Sequence, residues 1–105
     1  MIKKKIIIIS STRADFGLLY PVINLIKKDS FFDLDLVVTG THLENVYGNT
    51  QKEIFKSGIN KFHKIKINAD STSRVQITTS LSILINKLGL LLSKIKPNLL
   101  IVLGD

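Results

Sequence analysis

Short apolar runs of strand length alternate along the chain with longer segments of helical periodicity. The runs at 5–10, 34–40 and 99–104 are almost entirely apolar, whereas the run at 62–67 alternates between apolar and polar residues. Continuous apolar strands are typical of parallel sheets that are covered on both faces. The alternating run is typical of a more exposed strand, so we expect it near an edge of the sheet.

Three helices are predicted between these strands. The first covers 16–28, with Asp15 as the expected N-cap, and Pro21 is expected to kink it or to mark a delayed start. The second covers 49–56 and stops at Gly58, and the third ends before Pro97. The third helix carries an apolar stripe of about five turns. This stripe consists of Ile77, Leu81, Leu84, Leu88, Leu91 and Ile95.

The order of elements predicts an α/β fold. Strands and helices alternate as β-α-β-α-β-α-β with short connections, which indicates an open parallel sheet with helices on both faces. The 105 residues suffice for one small domain. The last apolar run reaches the end of the chain with no helix after it to cover it. We therefore expect the chain to be the N-terminal part of a longer protein.

Composition narrows the classes of site and partner. The chain has no cysteine and only two histidines, so we expect no metal site. Its net charge of +7 comes almost entirely from scattered lysines, with only two arginines, Arg13 and Arg74. Because a nucleic-acid surface usually clusters arginine or aromatic side chains, we expect no nucleic-acid partner. His63 is expected to face solvent without a partner.

The start of the chain resembles a signal peptide only superficially. Three lysines precede four isoleucines, but a signal peptide needs an apolar core of about 7–15 residues. No uninterrupted apolar run approaches the roughly 18–20 residues of a membrane span. We expect a cytoplasmic protein that does not associate with a membrane.

Polar residues follow three of the predicted strands, at 10–15, 40–42 and 104–105. In open α/β sheets, ligands bind beyond the carboxyl ends of the strands, near the point where strand order reverses. Neither the P-loop pattern nor G-x-G-x-x-G is present, which argues against an ATPase and a nicotinamide-linked oxidoreductase. Hydroxyls, backbone N–H groups and Arg13 would suit an anion such as a diphosphate. Alternatively, the loop only turns the chain and Arg13 makes a surface ion pair.

Two further residues leave alternatives open. His42 stands near the expected ligand edge, where it would be either catalytic or a structural hydrogen-bonding group. Asp105 lies directly beyond a buried strand and next to a glycine. That position suits a catalytic or sugar-binding acid, and equally the cap of a following helix.

The segments STRADFG, VTGTHL, YGNTQKEI and PNLLIVLGD occur together and in this order. In this combination the chain resembles the hydrolysing UDP-N-acetylglucosamine (UDP-GlcNAc) 2-epimerases, and more closely their sialic-acid-pathway branch, in register over 4–105. The resemblance implies two Rossmann-like domains of the glycosyltransferase-B type with the active site between them. Residues 1–105 would be the first part of the N-terminal domain. It also implies no cofactor, and a homo-oligomer for the full-length protein.

The resemblance assigns roles to four residues. Arg13 would contact the UDP moiety, Asp15 would lie near the sugar, His42 would line the cleft, and Asp105 would be a candidate acid/base. The family eliminates UDP across C1–C2 of the sugar and then adds water with inversion at C2, releasing N-acetylmannosamine.

The chain departs from the family pattern in its first loop, where Ser11 replaces the commonest glycine. The arginine that usually follows G-D would be residue 106, and further family carboxylates lie beyond Asp105, so we expect the isolated chain to be inactive. Two alternatives stay open. One is the same chemistry on UDP-N,N′-diacetylbacillosamine, for legionaminic acid. The other is a non-catalytic α/β nucleotide-binding module.

Overall fold

The computed structural model describes residues 3–40, 54, 58–59, 61–67 and 73–103. Its strands pair in parallel in the order β3-β2-β1-β4. The predicted open parallel sheet is therefore confirmed, with the alternating strand at one edge. The elements are β1 (Lys4–Ser10), α1 (Arg13–Lys28), β2 (Phe32–Thr39), β3 (Phe62–Ile65), α2 (Arg74–Ile95) and β4 (Leu99–Ile101).

The isoleucine run of β1 supplies both faces of the core. Ile6 and Ile8 belong to a buried cluster with Phe16, Leu19 and Ile23 of α1. The intervening residue, Ile7, belongs to a second cluster on the opposite face, against which α2 packs. Successive side chains of a strand point to opposite faces of the sheet. A strand that packs against helices on both faces therefore needs an uninterrupted run of apolar residues.

α1 begins earlier than expected. Its N-cap is Thr12, whose hydroxyl accepts a hydrogen bond from the backbone N–H of Asp15, so the prediction that Asp15 is the N-cap is wrong. Asp15 is instead the third helical residue, and its carboxylate accepts from the backbone N–H of Thr12 to complete a capping box. Pro21 lies within the helix and does not delay its start.

α2 is covered over only part of its length. Its C-terminal half packs on the sheet through half-buried leucines and Ile95. The helix ends at Ile95, and its C-cap, Lys96, has a left-handed φ of 54° just before Pro97. Ile77 and Leu81, which belong to the predicted apolar stripe, are 44% and 52% exposed. The stripe is therefore a packing surface only toward its C-terminal end, within the part of the chain that the structure describes.

α2 is also long and apolar enough to cross a membrane. An 18-residue window within it has a mean hydropathy of 1.5, and 6% of that window is buried. Uncharged polar residues such as Thr78 and Ser82 interrupt its apolar residues, which is why counting uninterrupted runs does not reveal it. Length and composition are weak evidence of a span, because core helices of soluble proteins meet the same criterion.

Two side-chain pairs extend from β2, one to a residue of β3 and the other to Lys61, which precedes β3. Nε2 of His63 lies 2.7 Å from Oδ2 of Asp35, so the expectation that His63 lacks a partner is wrong. Lys61 donates to Asp33 over the same distance, 2.7 Å. That hydrogen bond lowers the pKa of Asp33 and raises the pKa of Lys61. Such pairs depend on strand register, which a single sequence does not reveal.

The predicted helix over 49–56 lies outside the described residues, apart from Ile54. Ile54 is helical and fully buried in the same cluster as α1. Gly58, expected to stop this helix, has a φ of +83°, a conformation that suits glycine.

Candidate functional site

The carboxyl ends of the four parallel strands meet at one edge of the sheet. β1 lies between β2 and β4, so the chain runs to one side of β1 for two strands and then crosses back to its other side. This reversal creates the topological switch point at which α/β sheets bind ligands. Ile101 pairs with Ile8, which places the end of β4 beside the end of β1, two residues before Ser10. The first and fourth strands are therefore neighbours at the switch point.

The loop from β1 to α1 wraps around one carboxylate. Oδ1 of Asp15 accepts from the hydroxyl of Ser10 at 2.5 Å and from the backbone N–H of Ser11 at 3.2 Å. Oδ2 accepts from the same N–H at 3.0 Å, from the hydroxyl of Ser11 at 2.8 Å and from the backbone N–H of Thr12 at 3.1 Å. The loop therefore has a defined conformation that is fixed from within.

The same contacts determine the charge of Asp15. Burial alone would raise the pKa of its half-buried carboxyl group, but the hydrogen bonds from Ser10, Ser11 and Thr12 outweigh burial and lower the pKa below its ordinary value of 3.8. Hydrogen bonds that favour the charged form have this effect in general. Asp15 is therefore ionised at neutral pH.

The end of β2 is fitted closely against this loop. Gly40 has a φ of +66°, and a β-carbon there would lie 2.6 Å from the carbonyl oxygen of Ser11. Immediately before it, the buried hydroxyl of Thr39 donates to the carbonyl oxygen of Ile65 at 2.6 Å, at the end of β3. The ends of β1, β2 and β3 are thus connected by direct contacts.

The structure places the four predicted site residues as follows. Asp15 lies at the tip of β1, in contact with the loop, and Arg13 is the first residue of α1. The guanidinium of Arg13, and both His42 and Asp105, lie outside what the structure describes, so their convergence stays a prediction. Among the described residues, no group of three or more His, Cys, Asp or Glu side chains could hold a metal ion.

Sequence reasoning missed the structural role of Ser10 and Ser11. It treated them as part of a polar tip, whereas both hydroxyls donate to Asp15. One signal was available, because Thr12 and Asp15 have the [ST]-x-x-[DE] spacing of a capping box. That spacing identifies Thr12 as the N-cap, and it predicts that the Asp15 carboxylate points toward the loop.

Residues 24–105 match the sequence model of the family described as UDP-N-acetylglucosamine 2-epimerase. The chain belongs to this family. It is 33% identical over 102 residues to "Polysialic acid biosynthesis protein P7" of Escherichia coli, covering 97% of this chain and 26% of that protein. It is 34% identical over 106 residues to "GDP/UDP-N,N'-diacetylbacillosamine 2-epimerase (hydrolyzing)" of Campylobacter jejuni, covering 100% of this chain and 27% of that protein.

A solved structure agrees with the fold. It is the UDP-GlcNAc 2-epimerase of Neisseria meningitidis bound to UDP-GlcNAc, which superposes with a TM-score of 0.72 at 24% sequence identity. The match covers 96% of this chain and 26% of that one. The α/β architecture is therefore that of the N. meningitidis enzyme over the matched part, and the chain spans about a quarter of the length of its relatives.

Proposed function

We propose that this chain forms part of a hydrolysing UDP-GlcNAc 2-epimerase that converts UDP-GlcNAc and water to N-acetylmannosamine and UDP, for sialic acid biosynthesis. The observation that carries the proposal is the match of residues 24–105 to the epimerase family. The N. meningitidis structure, which holds UDP-GlcNAc, supports a UDP-sugar as the ligand. The polar loop at the β1–β4 switch point lies where such a ligand would bind.

The proposed chemistry has two steps. In the first, the bond between C1 and the UDP oxygen breaks, the C2 proton is removed, and a C1–C2 double bond forms. In the second, water adds across that bond, giving a hydroxyl at C1 and a proton at C2 on the opposite face. Both steps need a proton-transferring group, and the departing diphosphate needs cationic and N–H donors.

We assign these tasks to residues at the switch point. Arg13 would stabilise the diphosphate as UDP departs, together with the N-terminal N–H groups of α1. Asp105 would transfer protons, and His42 would line the cleft. The proximity of Asp15 to the sugar stays a prediction. None of these steps requires a redox cofactor.

The relatives leave one alternative substrate open. The C. jejuni protein is named for UDP-N,N′-diacetylbacillosamine, which differs from UDP-GlcNAc at C4 and C6 of the sugar. The chain is 33% identical to the E. coli protein and 34% identical to the C. jejuni protein, so sequence identity favours neither substrate. The alternative is therefore a hydrolysing 2-epimerase of legionaminic acid biosynthesis, with the same mechanism and the same roles for Arg13 and Asp105.

The remaining parts of the proposal concern the protein as a whole. Residues 1–105 would be part of an N-terminal Rossmann-like domain of the glycosyltransferase-B type, and inactive in isolation because further catalytic groups lie elsewhere. We propose that the complete protein is a cytoplasmic homo-oligomer.

The test is a UDP-release assay on the protein expressed from its complete coding sequence, with each of the two nucleotide sugars. Release of UDP and N-acetylmannosamine from UDP-GlcNAc supports the first proposal. Preferential turnover of UDP-N,N′-diacetylbacillosamine supports the alternative. Binding of both sugars without release would leave a non-catalytic module and remove the enzymatic proposal.

A further inference from the structure

We propose that Asp15 is a positioning residue, which acts on a bound nucleotide sugar through the β1–α1 loop rather than by contacting the sugar. The inference rests on the proposed function, because it concerns the same site and the same ligand. The Asp15 carboxylate holds the backbone of Ser11 and Thr12, and with it the start of α1, in the conformation that receives the diphosphate.

The loop takes up the hydrogen-bonding capacity of the Asp15 carboxylate. An ionised carboxylate offers about four acceptor positions. Four donors from the loop engage the two oxygens of Asp15: the Ser10 hydroxyl, the Ser11 hydroxyl, and the N–H groups of Ser11 and Thr12. These contacts match that capacity, so little remains for the hydroxyl groups of a sugar.

The negative charge of Asp15 also disfavours direct contact with the ligand. A free carboxylate beside a diphosphate would repel it, which makes Asp15 an unsuitable direct neighbour of UDP. The four loop donors instead stabilise the ionised form at the third position of α1, where the helix dipole also favours negative charge. In this arrangement the charge of Asp15 orders the loop.

Ser11 is held from two sides. The Asp15 carboxylate accepts from both its N–H and its hydroxyl, while Gly40 lies directly against its carbonyl oxygen. A loop fixed in this way loses less conformational entropy when it binds a ligand. Removing the carboxylate would free the loop and weaken the binding of every ligand that uses it.

The test uses the protein expressed from its complete coding sequence and measures two apparent affinities, the Kd of UDP by isothermal titration calorimetry and the KM of UDP-GlcNAc by UDP release. A positioning role predicts that Asp15→Asn weakens the binding of UDP and of UDP-GlcNAc by the same factor, about tenfold, because both ligands use the loop. The matched control is Asp29→Asn, at the other end of α1, where the carboxylate accepts from the backbone N–H of Phe31. This control should leave both affinities unchanged.

A weaker affinity for UDP-GlcNAc with an unchanged affinity for UDP would overturn the inference, since that pattern indicates direct contact with the sugar. Unchanged affinities for both ligands would overturn it as well. If the unaltered protein binds neither ligand, the proposed function itself fails, and the inference fails with it.

A double-mutant cycle keeps the inference testable even if Asp15→Asn lowers stability. Ser11→Ala removes one hydroxyl donor to the carboxylate and is expected to weaken UDP binding about threefold. In Ser11→Ala/Asp15→Asn, the two losses should combine to less than their product, because both changes disrupt one network. If the two losses of affinity multiply, as those of independent substitutions do, the proposal that Asp15 acts through the loop is wrong.

Discussion

The carbonyl oxygen of Ser11 occupies the space that a side chain at Gly40 would need. An ideal β-carbon at Gly40 lies 2.6 Å from that oxygen, and its φ of +66° is itself a conformation that favours glycine. This close approach packs the loop after β1 directly against the end of β2.

Gly40→Ala is therefore expected to destabilise the protein by roughly 1–3 kcal/mol, through backbone strain and displacement of the Ser11 loop. Urea unfolding measures this loss. The matched control is Gly89→Ala in α2, where a β-carbon would meet nothing within 4 Å. Because alanine favours helix over glycine, the control should be neutral or slightly stabilising. Equal stability of the two variants would show that the contact is unimportant.

Much of the fold follows from residue pattern. The β1 run of isoleucines predicts a strand that is buried on both faces, and Ile7 and Ile8 do lie in opposite core clusters. The alternation at 62–67 predicts an edge position, because one face of such a strand is polar, and β3 occupies that edge among the described strands. These features depend on local sequence and on burial alone.

Other features depend on geometry between segments. The N-cap of α1 is not among them, because the capping-box spacing of Thr12 and Asp15 is a local signal that identifies Thr12. The pairing of His63 with Asp35 depends on the register of β2 and β3. Ile77 fits the periodic stripe of α2 as well as Leu88 does, but only the latter lies over the sheet.

Substitutions of two adjacent isoleucines of β1 test how deeply each face of the sheet is buried. Ile8 is fully buried, so Ile8→Ala is expected to lower the free energy of unfolding by about 2–5 kcal/mol. Ile9 is only partly buried, and the same substitution there should cost clearly less. Urea unfolding of the two variants provides the comparison. Losses of equal size would be inconsistent with the burial seen in the structure.

Stability should depend on pH through Asp15. Its pKa in the folded protein is lowered from the ordinary value of 3.8, so the ionised carboxylate stabilises the fold above that value. This contribution is lost as the pH falls through the folded-state pKa. We expect the unaltered protein to be more stable than Asp15→Asn by a constant amount above about pH 5, and by a shrinking amount below it. A difference that does not change down to about pH 3 would contradict the assigned contacts.

The most direct test of the account is the affinity of UDP for Arg13→Ala, measured by calorimetry on the protein expressed from its complete coding sequence. The proposal that Arg13 receives the diphosphate predicts a Kd at least about tenfold higher, equivalent to about 1.4 kcal/mol. Lys28→Ala, which removes a cation at the opposite end of α1, should leave the Kd within about twofold, because exposed charges beyond a Debye length are screened. An unaltered affinity in Arg13→Ala, or no UDP binding by the unaltered protein, would contradict a UDP-sugar site at the end of β1.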